Sequence, residues 1–273
     1  MLKLLIVLMI LIMPFKVSAQ SQSLMIDGDH GKLAAILQTP DKEKYPLVII
    51  CHGFTANKEH KLLAELADEL EARGIASIRF DFNGHGKSDG DFQDMTVLNE
   101  IEDAKHVYEY ASALPNVTSI SIAGHSQGGV VASMVAGELG AKKIKALVLM
   151  APAAVLRDDS IRGNLFGVKY DSLNPPAYVE ISTPHGNYKV GRNYITTAQT
   201  LPIYETAEKF TGKALMIHGT GDIVVPYTYS LSYKKVLKHG EVKLLEGDDH
   251  SFIGDESRVA KLATEFFATR LNK

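Results

Sequence analysis

Ser119-Ile120-Ser121-Ile122-Ala123 runs into Gly124-His125-Ser126-Gln127-Gly128-Gly129, and from there into Val130-Val131-Ala132-Ser133-Met134-Val135-Ala136. The first part alternates as a buried strand does, and the last reads as a helix packed through small residues. Between them lies G-x-S-x-G, the pattern of a nucleophile elbow, in which a serine stands on a strained strand-to-helix turn. Strand, helix and backbone approach that closely only where side chains are nearly absent, and Gly124 and Gly128 supply the room. The turn points the Ser126 hydroxyl out above the sheet. It also puts the Gln127 amide at a helix N-terminus, where N–H groups and the helix dipole favour incoming negative charge. The competing reading is a glycine-rich helix start with an ordinary serine; the strand before and the helix after favour the elbow.

A serine hydroxyl is a weak nucleophile at neutral pH and needs a base held by a carboxylate. For this type of elbow the chain order is Ser, then Asp or Glu, then His. Downstream, His218-Gly219-Thr220-Gly221-Asp222 closes an apolar strand from Ala214, and Gly247-Asp248-Asp249-His250-Ser251-Phe252 follows the strand Val242 to Leu245. Both therefore reach the edge of the sheet that Ser126 occupies, which selects Asp222 and His250. Asp248 and Asp249 are alternative carboxylates, but adjacency to His250 gives poor side-chain geometry. His239, in Lys238-His239-Gly240, reads as a helix C-terminus, and His185 precedes Asp222. The tetrahedral intermediate of acyl transfer needs two N–H donors. Gln127 supplies one; the other is expected from the loop His52-Gly53-Phe54, at Phe54. His52 could be read as a base, although its place before a glycine suits a loop-bracing hydrogen bond.

Around these motifs strands and helices alternate. Leu24 to Asp27 and Leu33 to Gln38 flank Gly28-Asp29-His30-Gly31 as an N-terminal hairpin. Leu47 to Cys51 and Ile75 to Phe80 read as strands, Lys58 to Arg73 and Val97 to Ala113 as helices, and Ala146 to Met150 as a buried strand. Such alternation predicts a mostly parallel sheet with helices on both faces. After Ala151-Pro152 the pattern stops. From about 153 to 200 the chain is rich in breakers, including Asn174-Pro175-Pro176 and Thr183-Pro184, and carries Phe166, Tyr170, Tyr178, Tyr188 and Tyr194. The pattern resumes at Ala214 and ends with helices near Tyr229 to Lys238 and Glu256 to Leu271. The excursion is expected to be a lid inserted over the strand ends, within one domain spanning 20–273.

With 45% hydrophobic and 22% charged residues in 273, the chain has the composition of a soluble globular domain. Met1-Leu2-Lys3, the apolar run Leu4 to Met13 and Val17-Ser18-Ala19 form the parts of a secretory signal covering residues 1–19, so export to the periplasm or beyond is expected. The run is short of the ~20 residues a span prefers and is broken by Pro14 and Lys16, so no stable membrane anchor is expected after cleavage. Losing Lys3 and Lys16 leaves 27 basic against 32 acidic residues and moves the net charge from -3 to -5, with no basic run, which argues against nucleic acid as a partner. Cys51, the sole cysteine, ends an apolar run and reads as a small buried hydrophobe. Gly84-His85-Gly86-Lys87-Ser88 has the tail of a phosphate loop but lacks the first glycine, Asp81 standing there, and the following helix. No acidic or histidine spacing matches a metal site, so neither metal nor cofactor is implied.

The ordered set His52-Gly53-Phe54-Thr55-Ala56-Asn57, Asp81 to Gly90, Gly124 to Gly129, His218 to Asp222 and Asp249-His250 resembles the α/β-hydrolase superfamily. Gly124 to Val131, His52 to Asn57 and Leu201-Pro202-Ile203-Tyr204 narrow the likeness to the bacterial cinnamoyl or feruloyl esterases, from about Leu24 to the C-terminus. The resemblance implies an α/β-hydrolase fold with an inserted lid and hydrolysis of hydroxycinnamate esters, such as those of plant cell-wall arabinoxylan or chlorogenate. It also implies that Asp159 and Tyr194 contact the ring hydroxyl. A polar lid position of the family, usually glutamine, is Phe166 here. The expected activity is thus that of a serine carboxylesterase working through an acyl-enzyme, with Ser126, His250 and Asp222 as nucleophile, base and orienting carboxylate. A serine peptidase, an acyltransferase or a generic short-chain esterase could use the same triad. A catalytically silent binding protein is the non-enzyme reading, and the intact triad speaks against it.

Overall fold

The computed structural model describes residues 20–271, and the expected signal segment at 1–19 lies outside them. The N-terminal hairpin forms from β1 (Gln20–Gly28) and β2 (Gly31–Thr39), paired antiparallel from Gln20↔Thr39 to Gly28↔Gly31. Then come β3 (Tyr45–Cys51), α1 (Lys61–Ala72), β4 (Ala76–Phe80), α2 (Val97–Ala113), β5 (Val117–His125), α3 (Gln127–Lys143) and β6 (Ile144–Met150). β3 is buried at every position because the apolar run serves two cores at once. Leu47, Ile49 and Cys51 join the core under α2 and α3, whereas Val48 and Ile50 join the core under α1.

Helix amphipathicity decides which element covers which face. α1 buries Leu62, Leu63, Leu66 and Leu70, at the spacing of one helical stripe. α2 is capped by Thr96, whose hydroxyl accepts from the Asn99 N–H at 3.2 Å. α3 is buried continuously from Gln127 to Gly137, so it is sandwiched rather than amphipathic. That is why its first turns are built from glycine, alanine and valine.

The stretch 153–200, expected to lack regular structure, is regular in part. It holds α4 (Val155–Arg162), two small hairpins, β7 (Asn164–Leu165) with β8 (Val168–Lys169) and β9 (Tyr178–Thr183) with β10 (Gly186–Gly191), and α5 (Arg192–Gln199). The glycines and prolines that hid these elements mark their ends: Gly163, with φ 65°, caps α4, and Gly167, with φ 85°, turns the first hairpin. The chain then continues through α6 (Ile203–Ala207), β11 (Lys213–Gly219), α7 (Thr228–Val236), β12 (His239–Leu245) and α8 (Glu256–Leu271). His239, expected at a helix C-terminus, instead opens β12 and pairs with Lys213. α8 packs with α1 over the second core through Val259, Ala263 and Phe267.

The eight-stranded sheet has the order β1-β2-β4-β3-β5-β6-β11-β12, parallel from β4 to β12 and antiparallel only at β1 and β2. Strand order reverses between β3 and β5. In open α/β sheets a ligand crevice forms beyond the carboxyl ends of the strands at such a reversal, and here β3 and β5 lead directly into His52-Gly53-Phe54 and Ser126.

Candidate active site

Ser126 stands between β5 and α3 with φ 56° and ψ -125°, a conformation costly for any residue with a side chain. Its neighbours make that turn possible. A Cβ on Gly124 would fall on the Gly128 carbonyl, and one on Gly128 would fall on the backbone of Cys51 and His52. The strand, the helix and the β3 loop therefore meet backbone to backbone at Ser126.

His250 and Asp222 arrive from the ends of β12 and β11. The Ser126 hydroxyl lies 2.8 Å from His250 Nε2, and His250 Nδ1 lies 2.7 Å from Asp222 Oδ2. A carboxylate only accepts, so Nδ1 carries the proton and Nε2 is free to take one from the serine. Asp222 is well suited to remain ionised. Burial opposes its charge, but hydrogen bonds from His218 and His250 and from the Val225 N–H outweigh that and hold its pKa well below the usual carboxylate range. Its Oδ1 accepts from the Val224 and Val225 N–H groups at 2.9 and 2.7 Å. Asp249, the neighbouring alternative, is turned instead to the Ser251 and Ile253 N–H groups, both at 3.0 Å.

The loop after β3 closes on the same point: a Cβ at Gly53 would stand 2.9 Å from the Ser126 Cβ. Phe54 follows in the turn, and Gln127 opens α3 on the other side of the serine. Neither the Phe54 nor the Gln127 N–H has an acceptor among the described residues. His52 ties the loop down, its Nδ1–H donating to the Gly53 carbonyl at 2.8 Å while Nε2 accepts from the Phe82 N–H at 3.1 Å. Burial lowers its pKa far below the ordinary histidine value, and with both nitrogens engaged it is a neutral brace rather than a base. The stretch that mimics a phosphate loop serves the same purpose. Asp81 accepts from the Lys58 N–H at 2.7 Å, the Lys58 ammonium at 2.6 Å and the Lys87 N–H at 2.8 Å, while the Ser88 hydroxyl donates to the Asp81 carbonyl at 2.6 Å. These bonds take up the Lys87 N–H and the Ser88 hydroxyl, two of the groups that a phosphate loop would turn to its nucleotide.

A cleft of about 690 Å³ opens over Ser126, His250 and Gln127. The insertion lines much of it, through Asp159, Phe166, His185 and Tyr194 among others. Phe166 is half exposed at the tip of the β7–β8 hairpin, in the left-handed region at φ 49°, and stacks on Phe54 with ring centroids 5.3 Å apart. Asp159 sits on α4, and its pKa is raised by partial burial. Tyr194 is almost wholly buried, and its hydroxyl donates to Gln127 Oε1 at 2.7 Å. Among the described residues no group of three or more His, Cys, Asp or Glu side chains is placed to hold a metal ion.

Four residues of this neighbourhood escaped the sequence reading. His218 is fully buried, donates from Nε2 to Asp222 Oδ2 at 3.1 Å and to the Val225 carbonyl at 2.9 Å, and accepts from the Ser230 hydroxyl at 2.7 Å. His125 donates from Nε2 to the His250 carbonyl at 2.8 Å, which holds the histidine loop in place, and burial keeps it neutral. His60 stacks on His125 at 5.5 Å and lines the cleft. Glu100, 2% exposed on α2, accepts from Gln127 Nε2 at 2.9 Å. A signal for it exists: it interrupts the apolar stripe Val97, Ile101, Ala104 and Val107, where a carboxylate has no place unless it has a partner.

Residues 42–185, over half of the chain, match the family Hydrolase_4, serine aminopeptidase, S33. The chain belongs to the S33 family of serine hydrolases. This S33 chain is also 36% identical to Est1E from Butyrivibrio proteoclasticus with ferulic acid bound, over 92% of its own length and 100% of that chain, with a TM-score of 0.86. A second Est1E structure gives 33% identity and a TM-score of 0.82 over 92% and 99% of the two chains. Among curated proteins it is 30% identical to polyketide transferase ATR5 of Stachybotrys chlorohalonatus over 162 residues, 56% of this chain and 54% of that one. The match thus spans about half the length of that transferase. Fold and family together make the chain an α/β-hydrolase, in line with the resemblance carried by the elbow, oxyanion-loop and Asp-His motifs.

Proposed function

We propose that the protein is a serine carboxylesterase that hydrolyses hydroxycinnamate esters through an acyl-enzyme. The observation that carries the ester chemistry is the continuous chain from the Ser126 hydroxyl through His250 to Asp222, at 2.8 and 2.7 Å, opening on a cleft. Ser126 Oγ attacks the ester carbonyl as His250 Nε2 takes its proton, and Asp222 holds the imidazole tautomer and stabilises the cation. The Phe54 and Gln127 N–H groups receive the oxyanion, a contribution of roughly 3 kcal/mol per donor in comparable sites. His250 then returns the proton to the departing alcohol. In the second half, water gives up a proton to His250 and attacks the acyl-serine, and His250 passes that proton to Ser126 Oγ as the acyl bond breaks and the acid leaves.

The acyl group is argued from the insertion. Phe54, Phe166 and Tyr194 give the cleft an aromatic wall, and Asp159 and Tyr194 supply polar atoms at which a ring hydroxyl can be received. The likeness to Est1E, solved with ferulic acid, supports that choice. The apolar and small-residue start of the chain supports export, which would bring the protein to extracellular esters. A second reading, acyl transfer to an alcohol other than water, is favoured by the partial match to a polyketide transferase. Both share the acyl-serine and differ in what accepts the acyl group.

The test is turnover of methyl ferulate, p-nitrophenyl butyrate and a peptide p-nitroanilide by the purified protein, with fluorophosphonate labelling mapped by mass spectrometry. Expected are a label on Ser126 and a kcat/KM for methyl ferulate well above that for the anilide. Label elsewhere, or amide cleavage exceeding ester cleavage, would overturn the reading. Methyl ferulate consumed only when an alcohol is added would point to the transferase.

A further inference from the structure

Behind the cleft runs a buried chain of three side chains from three different helices. Gln127 Nε2 donates to Glu100 Oε2 at 2.9 Å, and Tyr194 donates its hydroxyl proton to Gln127 Oε1 at 2.7 Å. All three are at most 3% exposed, and Glu100 does not line the cleft. The chain has a direction. An ionised carboxylate can only accept, so it turns the Gln127 NH₂ toward itself and leaves the amide oxygen for Tyr194. With its proton spent there, the tyrosine oxygen keeps only lone pairs for a ring hydroxyl that reaches it from the cleft Tyr194 lines. Asp159, near enough to act electrostatically on Tyr194 and also lining the cleft, is an acceptor as well.

We propose that Glu100 is a positioning residue that orients the Gln127 amide, makes Tyr194 a hydrogen-bond acceptor toward the cleft, and so selects acyl rings bearing a free hydroxyl over their O-methyl ethers. This rests on the esterase reading above and deepens it. A phenol brings a proton to two acceptors, whereas an aryl ether brings only lone pairs and leaves both unpaired, a cost incurred on every binding event. A vicinal diphenol brings one proton for each.

The device is tied to pH through Glu100 itself. Burial pushes its carboxyl up to about 8, against the hydrogen bond from Gln127, and Asp103 adds to the rise. Asp103 from α2 is the charged group that disfavours its ionisation; the Cys51 thiol of β3 and the Tyr194 phenol of α5 also face it, and both stay neutral because burial, and Glu100 itself, push them up. Once protonated, the carboxyl can donate as well as accept. The Gln127 amide can then face the other way, with its NH₂ toward Tyr194, and the phenolic proton is released for an ether oxygen. Selectivity for hydroxyl over methoxyl therefore rises with pH across this range.

The experiment is the ratio of kcat/KM for methyl 4-hydroxycinnamate to that for methyl 4-methoxycinnamate, from pH 6.5 to 9, in the wild type, Glu100→Gln and Tyr194→Phe. The wild-type ratio should rise by roughly tenfold, the worth of one buried hydrogen bond. In Glu100→Gln, whose amide can donate at any pH, the ratio should stay low and flat. Tyr194→Phe should also be flat, because the effect passes through the tyrosine oxygen. Substrate ionisation and the bulk of the methyl group are common to all three proteins and cancel in the comparison. A wild-type ratio that changes with pH no more than that of Tyr194→Phe overturns the proposal, as does a Glu100→Gln ratio that tracks the wild type. If the wild type turns over neither ester, the substrate reading fails and the proposal with it; turnover of both with no pH trend beyond that of Tyr194→Phe sinks the proposal alone.

Discussion

Ser126 illustrates how much one residue depends on its neighbours having no side chains. Its φ of 56° and ψ of -125° are tolerable only because Gly124 and Gly128 let three backbone segments close around it. The consequence is a hydroxyl held 2.8 Å from His250 Nε2 before any substrate arrives. Because serine, histidine and aspartate act as a unit, removing one costs nearly as much as removing all. Ser126→Ala and His250→Ala should each lower kcat on methyl ferulate by roughly 10⁴ to 10⁶, and Asp222→Asn somewhat less, with circular dichroism and Tm close to wild type. A Ser126→Ala protein retaining more than about a tenth of the turnover, while His250→Ala is dead, would falsify the serine-nucleophile mechanism.

At the scale of elements, the insertion divides its work between rigid and turn segments. α4 and α5 present Asp159 and Tyr194, and the β7–β8 hairpin presents Phe166. Phenylalanine is an uncommon choice at φ 49°, and the ring it places on Phe54 gives that strained turn an apolar wall to serve. If Asp159 and Tyr194 receive a ring hydroxyl, Asp159→Ala and Tyr194→Phe should each reduce kcat/KM for methyl ferulate by about 1 to 3 kcal/mol relative to methyl cinnamate, which lacks the hydroxyl. Turnover of p-nitrophenyl butyrate should barely change. Equal losses on all three esters would mean that these residues support the fold or lid rather than ring recognition.

For the whole molecule, the two carboxyls buried on α2 make stability depend on pH. Burial raises Glu100 to about 8 and Asp103 to about 6, against hydrogen bonds to Gln127 for the first and to the Asn83 and Asp29 N–H groups for the second. Between the ordinary carboxylate range and these values the folded protein keeps protons that the unfolded chain has already released. Their contribution to stability is therefore greatest at the acidic end of that window and is lost as pH rises through about 6 and then about 8, opposite in sign to that of the buried neutral His52 and His125, which is lost as pH falls below the ordinary histidine value. Glu100→Gln removes the larger share. Its Tm by scanning calorimetry should match the wild type near pH 5 and exceed it by roughly 5 °C at pH 9. Parallel Tm curves for the two proteins would show that Glu100 ionises without cost.

The serine elbow and the alternating sheet were legible in the residues because each is a local pattern, and Asp222 and His250 became candidates because both follow the ends of such strands. Glycine spacing, an apolar run of one strand's length and a helix stripe need nothing from the rest of the chain. The elements of the insertion were not, since two-residue strands and eight-residue helices carry too little periodicity and their breakers read as loop. Nor could the residues alone choose among Asp222, Asp248 and Asp249 by contact, give His218 and His125 their bracing tasks, or find Glu100 its partner. Those outcomes depend on atoms 124 positions apart meeting at Ser126 and His250, 67 apart at Tyr194 and Gln127, and 27 apart at Gln127 and Glu100. Hydrogen bonding acts over about 3 Å, so only the closed tertiary structure decides which polar groups share a dry interior and which carboxyl keeps its charge there.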